Sequence, residues 1–152
     1  MATFEDSGQV AQLNNDLSKC HVSFHPLYVL KENASELGLA YIKDKIEKSR
    51  LGENLVLVAQ DENIVGYLMC SINDQHPSAE IRKIGHIGAV YVIPAYRRRG
   101  IASALMKEAL KWLKEHKVEY ADLNVDVQNA TAVAAWKAMG FKPHQCNLTK
   151  KL

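Results

Sequence analysis

Much of the narrowing comes from what the sequence lacks. Its three cysteines, Cys20, Cys70 and Cys146, are odd in number and form no Cys-x-x-Cys. Neither a disulfide framework nor a zinc knuckle is expected, and a reducing cytoplasm suits them. His21, His25, His76, His116 and His144 show no metal-ligand spacing, so no metal is expected. No apolar run approaches the ~18 residues of a membrane span. The first residues carry Glu5 and Asp6 in place of a basic then apolar stretch, so no secretory leader is expected. Gly-x-Ser-x-Gly is absent, and with it any support for an acyl-enzyme. Gly-Lys-Ser, Gly-Lys-Thr and Gly-x-Gly-x-x-Gly are absent too, which excludes two common phosphate loops. A net charge of +2 is too small to argue for nucleic acid from the whole chain. The basic residues sit at Arg97–Arg99 and along Lys107, Lys111, Lys114 and Lys117, with no interleaved aromatic face. There are no repeats, low-complexity tracts or linkers. The 152 residues, 1–152, are therefore read as one domain, soluble and with no partner membrane.

The pattern of elements follows from periodicity. Val10, Leu13 and Leu17 predict a helix from about Asp6 to Cys20, capped by Asp6 or Ser7. Residues 21–32 read as a loop around Pro26. Asn33-x-x-Glu36 reads as a capping box for a second helix to about Ser49, with Leu37, Ala40, Tyr41 and Asp44 as its face. Leu55–Ala59 and Ile64–Cys70 form a hairpin across Asp61-Glu62-Asn63. A long strand, Ile81–Ile93, contains Gly85 and Gly88, which suggest a bulge or the close approach of other backbone. A broad amphipathic stripe predicts a helix from Gly100 to His116. Ala121–Val127 alternates strictly and reads as a strand with Asp122, Asn124 and Asp126 on its polar side. A short helix, Ala130–Met139, and a last strand, Phe141–Lys150, complete the chain. Hairpins first, then strand–helix–strand, argue a mixed α/β (α+β) sheet with helices on both faces.

The chain is organised around Val90–Ala102. An apolar strand ends at Pro94, which has no N–H to continue a ladder. The basic turn Arg97-Arg98-Arg99-Gly100 then leads into the longest amphipathic stripe. First-turn N–H groups lack partners inside a helix, the macrodipole adds positive potential, and Gly100 permits close approach. Such a turn can hold a phosphate.

Arg97-x-x-Gly100-x-Ala102 resembles the [Arg/Gln]-x-x-Gly-x-[Gly/Ala] signature of the GNAT N-acetyltransferase superfamily. Asn129-x-x-Ala132-x-x-x-Trp136-x-x-x-Gly140-Phe141 resembles that family's Asn-x-x-Ala-x-x-x-Tyr-x-x-x-Gly-Phe segment, and Leu123-Asn124-Val125 stands where its fifth strand leads in. Ala2–Asp6 is a faint echo of its first strand. The resemblance implies a central mixed, mostly antiparallel sheet splayed between the family's fourth and fifth strands. It implies direct transfer of an acetyl group from acetyl-CoA to a primary amine, on a small molecule, a peptide N-terminus or a lysine. A coenzyme A-binding module with little activity is the alternative. The implied cofactor residues include Val90 and Val92, whose main-chain groups would pair with the pantetheine amides, and Arg98, Arg99, Gly100, Ile101, Ala102 and Ser103, whose backbone N–H groups would hold the pyrophosphate; Tyr91 and Arg97 belong to the same cofactor site. Asn129 and Trp136 would join them. A main-chain N–H near Tyr91 or Val92 would serve the developing oxyanion.

His86, eleven residues before Arg97, occupies the place where some branches of the family have a glutamate base. Imidazole ionises close to neutrality, which suits that task. Trp136 is a departure: the family usually has tyrosine as the acid there, and indole N–H only donates. Catalysis is thus expected to rest on His86 and Trp136. Cys70 is expected to be a buried small hydrophobe. A monomer or a homodimer is expected, the latter through an exposed C-terminal strand.

Overall fold

The computed structural model describes all residues from Met1 to Leu152. Four strands form one sheet in chain order: β1 (Asn54–Gln60), β2 (Ile64–Asp74), β3 (Lys83–Val92) and β4 (Ala121–Leu123). The first three are antiparallel, and β4 runs parallel to β3. The hairpin turn is the one expected, with Asp61 N–H donating to Asn63 O at 2.9 Å. Helices α1 (Ser7–Val22) and α2 (Ala34–Arg50) cover one face; α3 (Ile101–Glu115) and α4 (Ala130–Ala138) lie on the other. No helix is long and apolar enough to cross a membrane.

Period-two alternation divides the core. Val56, Tyr67, Met69 and Tyr91 point to α1 and α2, where Val10, Ile42 and Ile46 meet them. Leu55, Leu68, Cys70 and Ile87 point to α3, where Leu105, Met106, Ala109 and Leu113 meet them. β2 is the central strand and is buried from Ile64 to Cys70. Its apolar residues serve both faces, so burial on both sides dictates its near-continuous apolar run.

Several expectations need correction. Phe141–Lys150 forms no strand. Pro143 removes a donor, and Lys142, His144, Gln145, Asn147 and Thr149 leave neither side apolar enough to bury. The homodimer argued from that edge loses its basis. The strand predicted over Ala121–Val127 stops at Leu123, because beyond it the chain has no neighbour to pair with. The long strand starts at Lys83, later than Ile81, and ends at Val92. The α2 residues that face the core are Leu39, Ile42, Ile46 and Ser49; Leu37 and Tyr41 are exposed. Asn33 makes no side-chain cap, since its backbone (φ −91°, ψ 22°) is not extended. The cap geometry forms instead at the start of the chain. Asp6 Oδ2 accepts from Thr3 N–H at 2.7 Å and from Thr3 Oγ1 at 2.9 Å. Ala2 N–H donates to Val56 O at 2.9 Å, and this one bond is what remains of a first strand.

At Gly85 the α3 residue Leu113 packs directly against the sheet backbone. A Cβ there would lie 3.0 Å from Leu113 Cγ and nearer still to both its methyls. Gly85→Ala is expected to destabilise the fold by ~1–3 kcal/mol, typical of overpacking. Thermal unfolding checks this, and an unchanged Tm would contradict the packing argument.

Candidate active site

The site begins with a change of phase in β3. Gly85 N–H points to β4 and donates to Tyr120 O at 2.9 Å. Strict alternation from there would send Ile87, Ala89 and Tyr91 the same way. The register against β2 shifts between Met69 and Cys70, however, leaving Gly88 without an opposite residue. This is a bulge, and it reverses the parity. Beyond it, Ile93 N–H donates to Val65 O at 3.0 Å. By antiparallel alternation Tyr91 then pairs with Tyr67, while Val90 and Val92 turn their N–H and C=O groups away from β2. They turn toward the side that β4 has vacated, since β3–β4 pairing ends at Ile87 and Leu123. The result is a gap with a strand edge open at Val90 and at Val92 N–H, the Val92 carbonyl being taken by Arg97 Nε. Tyr91, also expected at the cofactor, has its side chain toward α1 and its backbone paired with Tyr67. Its ring is buried, and its hydroxyl is pushed above the ordinary range, chiefly by burial.

At the end of the gap lies the basic turn. Arg98 (φ 65°) and Gly100 (φ 78°) both have left-handed backbone. For arginine this conformation is uncommon, and left-handed residues in such a turn are of the kind that let successive N–H groups converge on an anion. Tyr96 and Arg97 N–H groups are bonded to Ile93 O and Pro94 O, and Ala104 N–H to Gly100 O. Between them, the six N–H groups from Arg98 to Ser103 have no backbone acceptor. They stand at the N-terminus of α3, where the macrodipole favours an anion. A Cβ at Gly100 would meet nothing within 4 Å, so glycine is needed there for its backbone, not for space.

The three arginines differ. Arg97 Nε donates to Val92 O at 2.9 Å and its guanidinium lies 5.5 Å from the Tyr91 ring centre. Arg97 therefore fixes the end of β3. Arg99 lies 4.8 Å from the Tyr96 ring centre, and the Tyr96 hydroxyl donates to Asp61 Oδ2 at 2.7 Å. The hairpin turn thereby steadies the basic turn. Sequence reading missed this link, because nothing in the spacing joins Asp61 to Tyr96.

Asn129 Oδ1 accepts from Ala132 N–H at 3.1 Å and caps α4. Trp136 is half-buried, edge-on to Phe141 at 6.3 Å, and packs on the α3-side core. Both residues have a structural duty beside any contact with a ligand. His86 lies where the strands part. Its Cδ2 is 3.8 Å from where a Gly88 Cβ would stand. Its Nδ1 is 2.6 Å from Asp122 Oδ1 on β4. The alternation of Ala121–Val127 had put Asp122 on the polar side, but only the register of β3 against β4 makes it a partner of His86.

Cys70 is buried, as expected, and desolvation pushes its thiol up to about 12. Cys20 and Cys146 are exposed. Two thiols per chain are expected to react with a thiol reagent at pH 8, the third only after unfolding. Three rapidly reacting thiols in the native protein would contradict the burial of Cys70.

The model of the acetyltransferase (GNAT) family matches residues 11–141. An N-alpha-acetyltransferase of Saccharolobus solfataricus is 31% identical over 125 residues, covering 78% of this chain and 65% of that protein. This chain thus spans slightly less than two thirds of that relative's length. A tetramutant of a Bacillus halodurans protein superposes with a TM-score of 0.86 at 21% identity, over 99% of this chain and 97% of that one. A predicted acetyltransferase from Clostridium acetobutylicum, solved with acetyl-CoA, gives a TM-score of 0.77 at 15% identity, over 99% and 92%. At such identities these two likenesses establish the fold.

Proposed function

The chain belongs to the GNAT acetyltransferase family, and from that premise we propose that it transfers an acetyl group from acetyl-CoA to a primary amine. The observation that carries the reading is the run of six backbone N–H groups, Arg98 to Ser103, with no backbone acceptor. Those donors suit a pyrophosphate, and the open edge at Val90 and Val92 suits the amides of a pantetheine arm, as an added strand would. Acetyl-CoA supplies the activated acyl group. The chain's own groups do the rest. Val92 N–H, turned into the gap, offers a hydrogen bond to the acyl oxygen as charge gathers there. An alkyl ammonium keeps its proton to ~10.4, so the acceptor must be deprotonated before it can attack. His86, at the mouth of the gap, is the base.

The acceptor is a peptide N-terminus or a small amine, and the N-alpha-acetyltransferase likeness favours the former. Residues 1–152 work as one catalytic unit. Three unpaired cysteines suit a reducing cytoplasm. The test is a panel of free-amine peptides and small amines incubated with acetyl-CoA and read by mass spectrometry. Acetylated product that depends on the protein is expected. Saturable coenzyme A binding with no product from any amine would leave a binding module only.

Trp136 takes no acid role here. Indole offers a donor that does not dissociate usefully, and a thiol of ordinary acidity needs no proton donor to depart. Trp136→Tyr is expected to keep kcat within about threefold of wild type, because the phenol supplies an acid the reaction does not require. A tenfold rise in kcat would show that an acid had been missing.

A further inference from the structure

We propose that Asp122 is a positioning residue that holds the proton of His86 on Nδ1 and so keeps the Nε2 lone pair free for the acceptor amine. This inference rests on the reading of His86 as the base. Three observations carry it. The contact between Nδ1 and Oδ1 is 2.6 Å, a short charge-assisted hydrogen bond. An ionised carboxylate only accepts, so the imidazole must donate through Nδ1. Finally, β4 has three residues, and its middle one is Asp122, in register with His86. The strand pairs with β3 just where the pairing sets this carboxylate beside this ring, then diverges.

The environment fits the role. The Asp122 side chain is 60% exposed and so stays solvated, while that of His86 is 27% exposed. Ser71 is opposite His86 on β2, but its hydroxyl is directed to Asn73 Oδ1 at 3.3 Å. Left to water, a neutral imidazole samples both tautomers, and in one of them Nε2 carries a proton and cannot act as a base. In the proposed step one N–H proton of the acceptor's ammonium passes to Nε2 and the nitrogen lone pair is freed; the C–N bond it forms replaces the thioester C–S bond, and the sulfur leaves as the thiolate of coenzyme A. The imidazolium keeps its Nδ1–H on Asp122, whose charge faces it; no proton moves onto the carboxylate.

The test is Asp122→Ala and Asp122→Asn in the full chain, with folding checked by thermal unfolding. Protein labelled with ¹⁵N-histidine reports the tautomer of neutral His86. The wild type should show the proton on Nδ1, and both variants should lose that preference. The rate kcat should fall ~10-fold or more, with KM for acetyl-CoA unchanged. In a His86→Ala background, Asp122→Ala should cost nothing further, because the two residues act as one unit. An unchanged tautomer in Asp122→Ala would overturn the proposal. So would an equal loss of rate in both backgrounds, since Asp122 would then act without His86. Full activity of His86→Ala would end the base reading and the catalytic half of this proposal together. The tautomer in the resting protein would then separately decide whether Asp122 orients the ring.

Discussion

Replacing His86 with alanine is expected to lower kcat by ~10²–10⁴-fold, the range for a lost general base. The position explains the size. His86 is on β3 two residues before the bulge at Gly88, at the point where β4 leaves the sheet. Coenzyme A affinity should not change, because the proposed anchoring groups are backbone N–H groups elsewhere. Without the imidazole, the rate at neutral pH should depend on the small neutral fraction of the amine, whose ordinary pKa is ~10.4. The rising limb of the pH–rate profile should therefore move upward. His86→Glu should recover the rate only in part, because a carboxylate at this position would stand beside that of Asp122 and two like charges resist ionising together. Removing that second charge with Asp122→Asn should improve the recovery. If water takes the proton instead, the profiles of wild type and His86→Ala will overlay, and His86 leaves the mechanism.

Gly100→Asp is expected to weaken coenzyme A binding by ~1.5–3 kcal/mol or more, the scale of a lost charge-assisted hydrogen bond, which is over tenfold in Kd. The glycine has φ 78° with open space where a Cβ would go. Among side chains, asparagine and aspartate tolerate that conformation best, so the fold should survive. What changes is the charge: a carboxylate would sit beside N–H groups that are arranged to receive an anion. Gly100→Asn is the control, with the same shape and no charge, and should lose much less affinity. Equal calorimetric affinity for wild type and Gly100→Asp would contradict the anchoring argument. Equal losses in the two variants would assign the effect to backbone strain.

Which features the sequence revealed depended on whether their cause was local. The bulge was readable from Gly88 in an apolar strand, and the basic turn from Arg97 to Ala102, because each is a property of consecutive residues. The amphipathic stripe of α3 was readable for the same reason. Strand ends were not. Ala121–Val127 alternates throughout, but a strand persists only while a neighbour pairs with it, and β3 supplies three pairs. Phe141–Lys150 had a start and an end but no apolar side. Asn33-x-x-Glu36 had the letters of a capping box without the extended backbone that would aim Asn33. In the site, the resemblance already pointed to Val90 and Val92 for the pantetheine amides, and the pairing with β2 leaves those two facing the gap while Tyr91 faces α1. Arg97 stood in the phosphate turn by sequence, but its Nε holds Val92 O. The pair of His86 and Asp122 spans 36 residues and exists only through register.

The central claim, that the backbone of Arg98–Ser103 and the open edge of β3 hold coenzyme A, is tested most directly by following backbone amide resonances during titration with coenzyme A. The amides of Arg98, Arg99, Gly100, Ile101, Ala102 and Ser103, together with those of Val90 and Val92, should shift saturably along one binding curve. The amide of Tyr91, committed to β2, should shift less than its two neighbours. Saturable binding that leaves the resonances of Arg98–Ser103 unmoved would contradict the account.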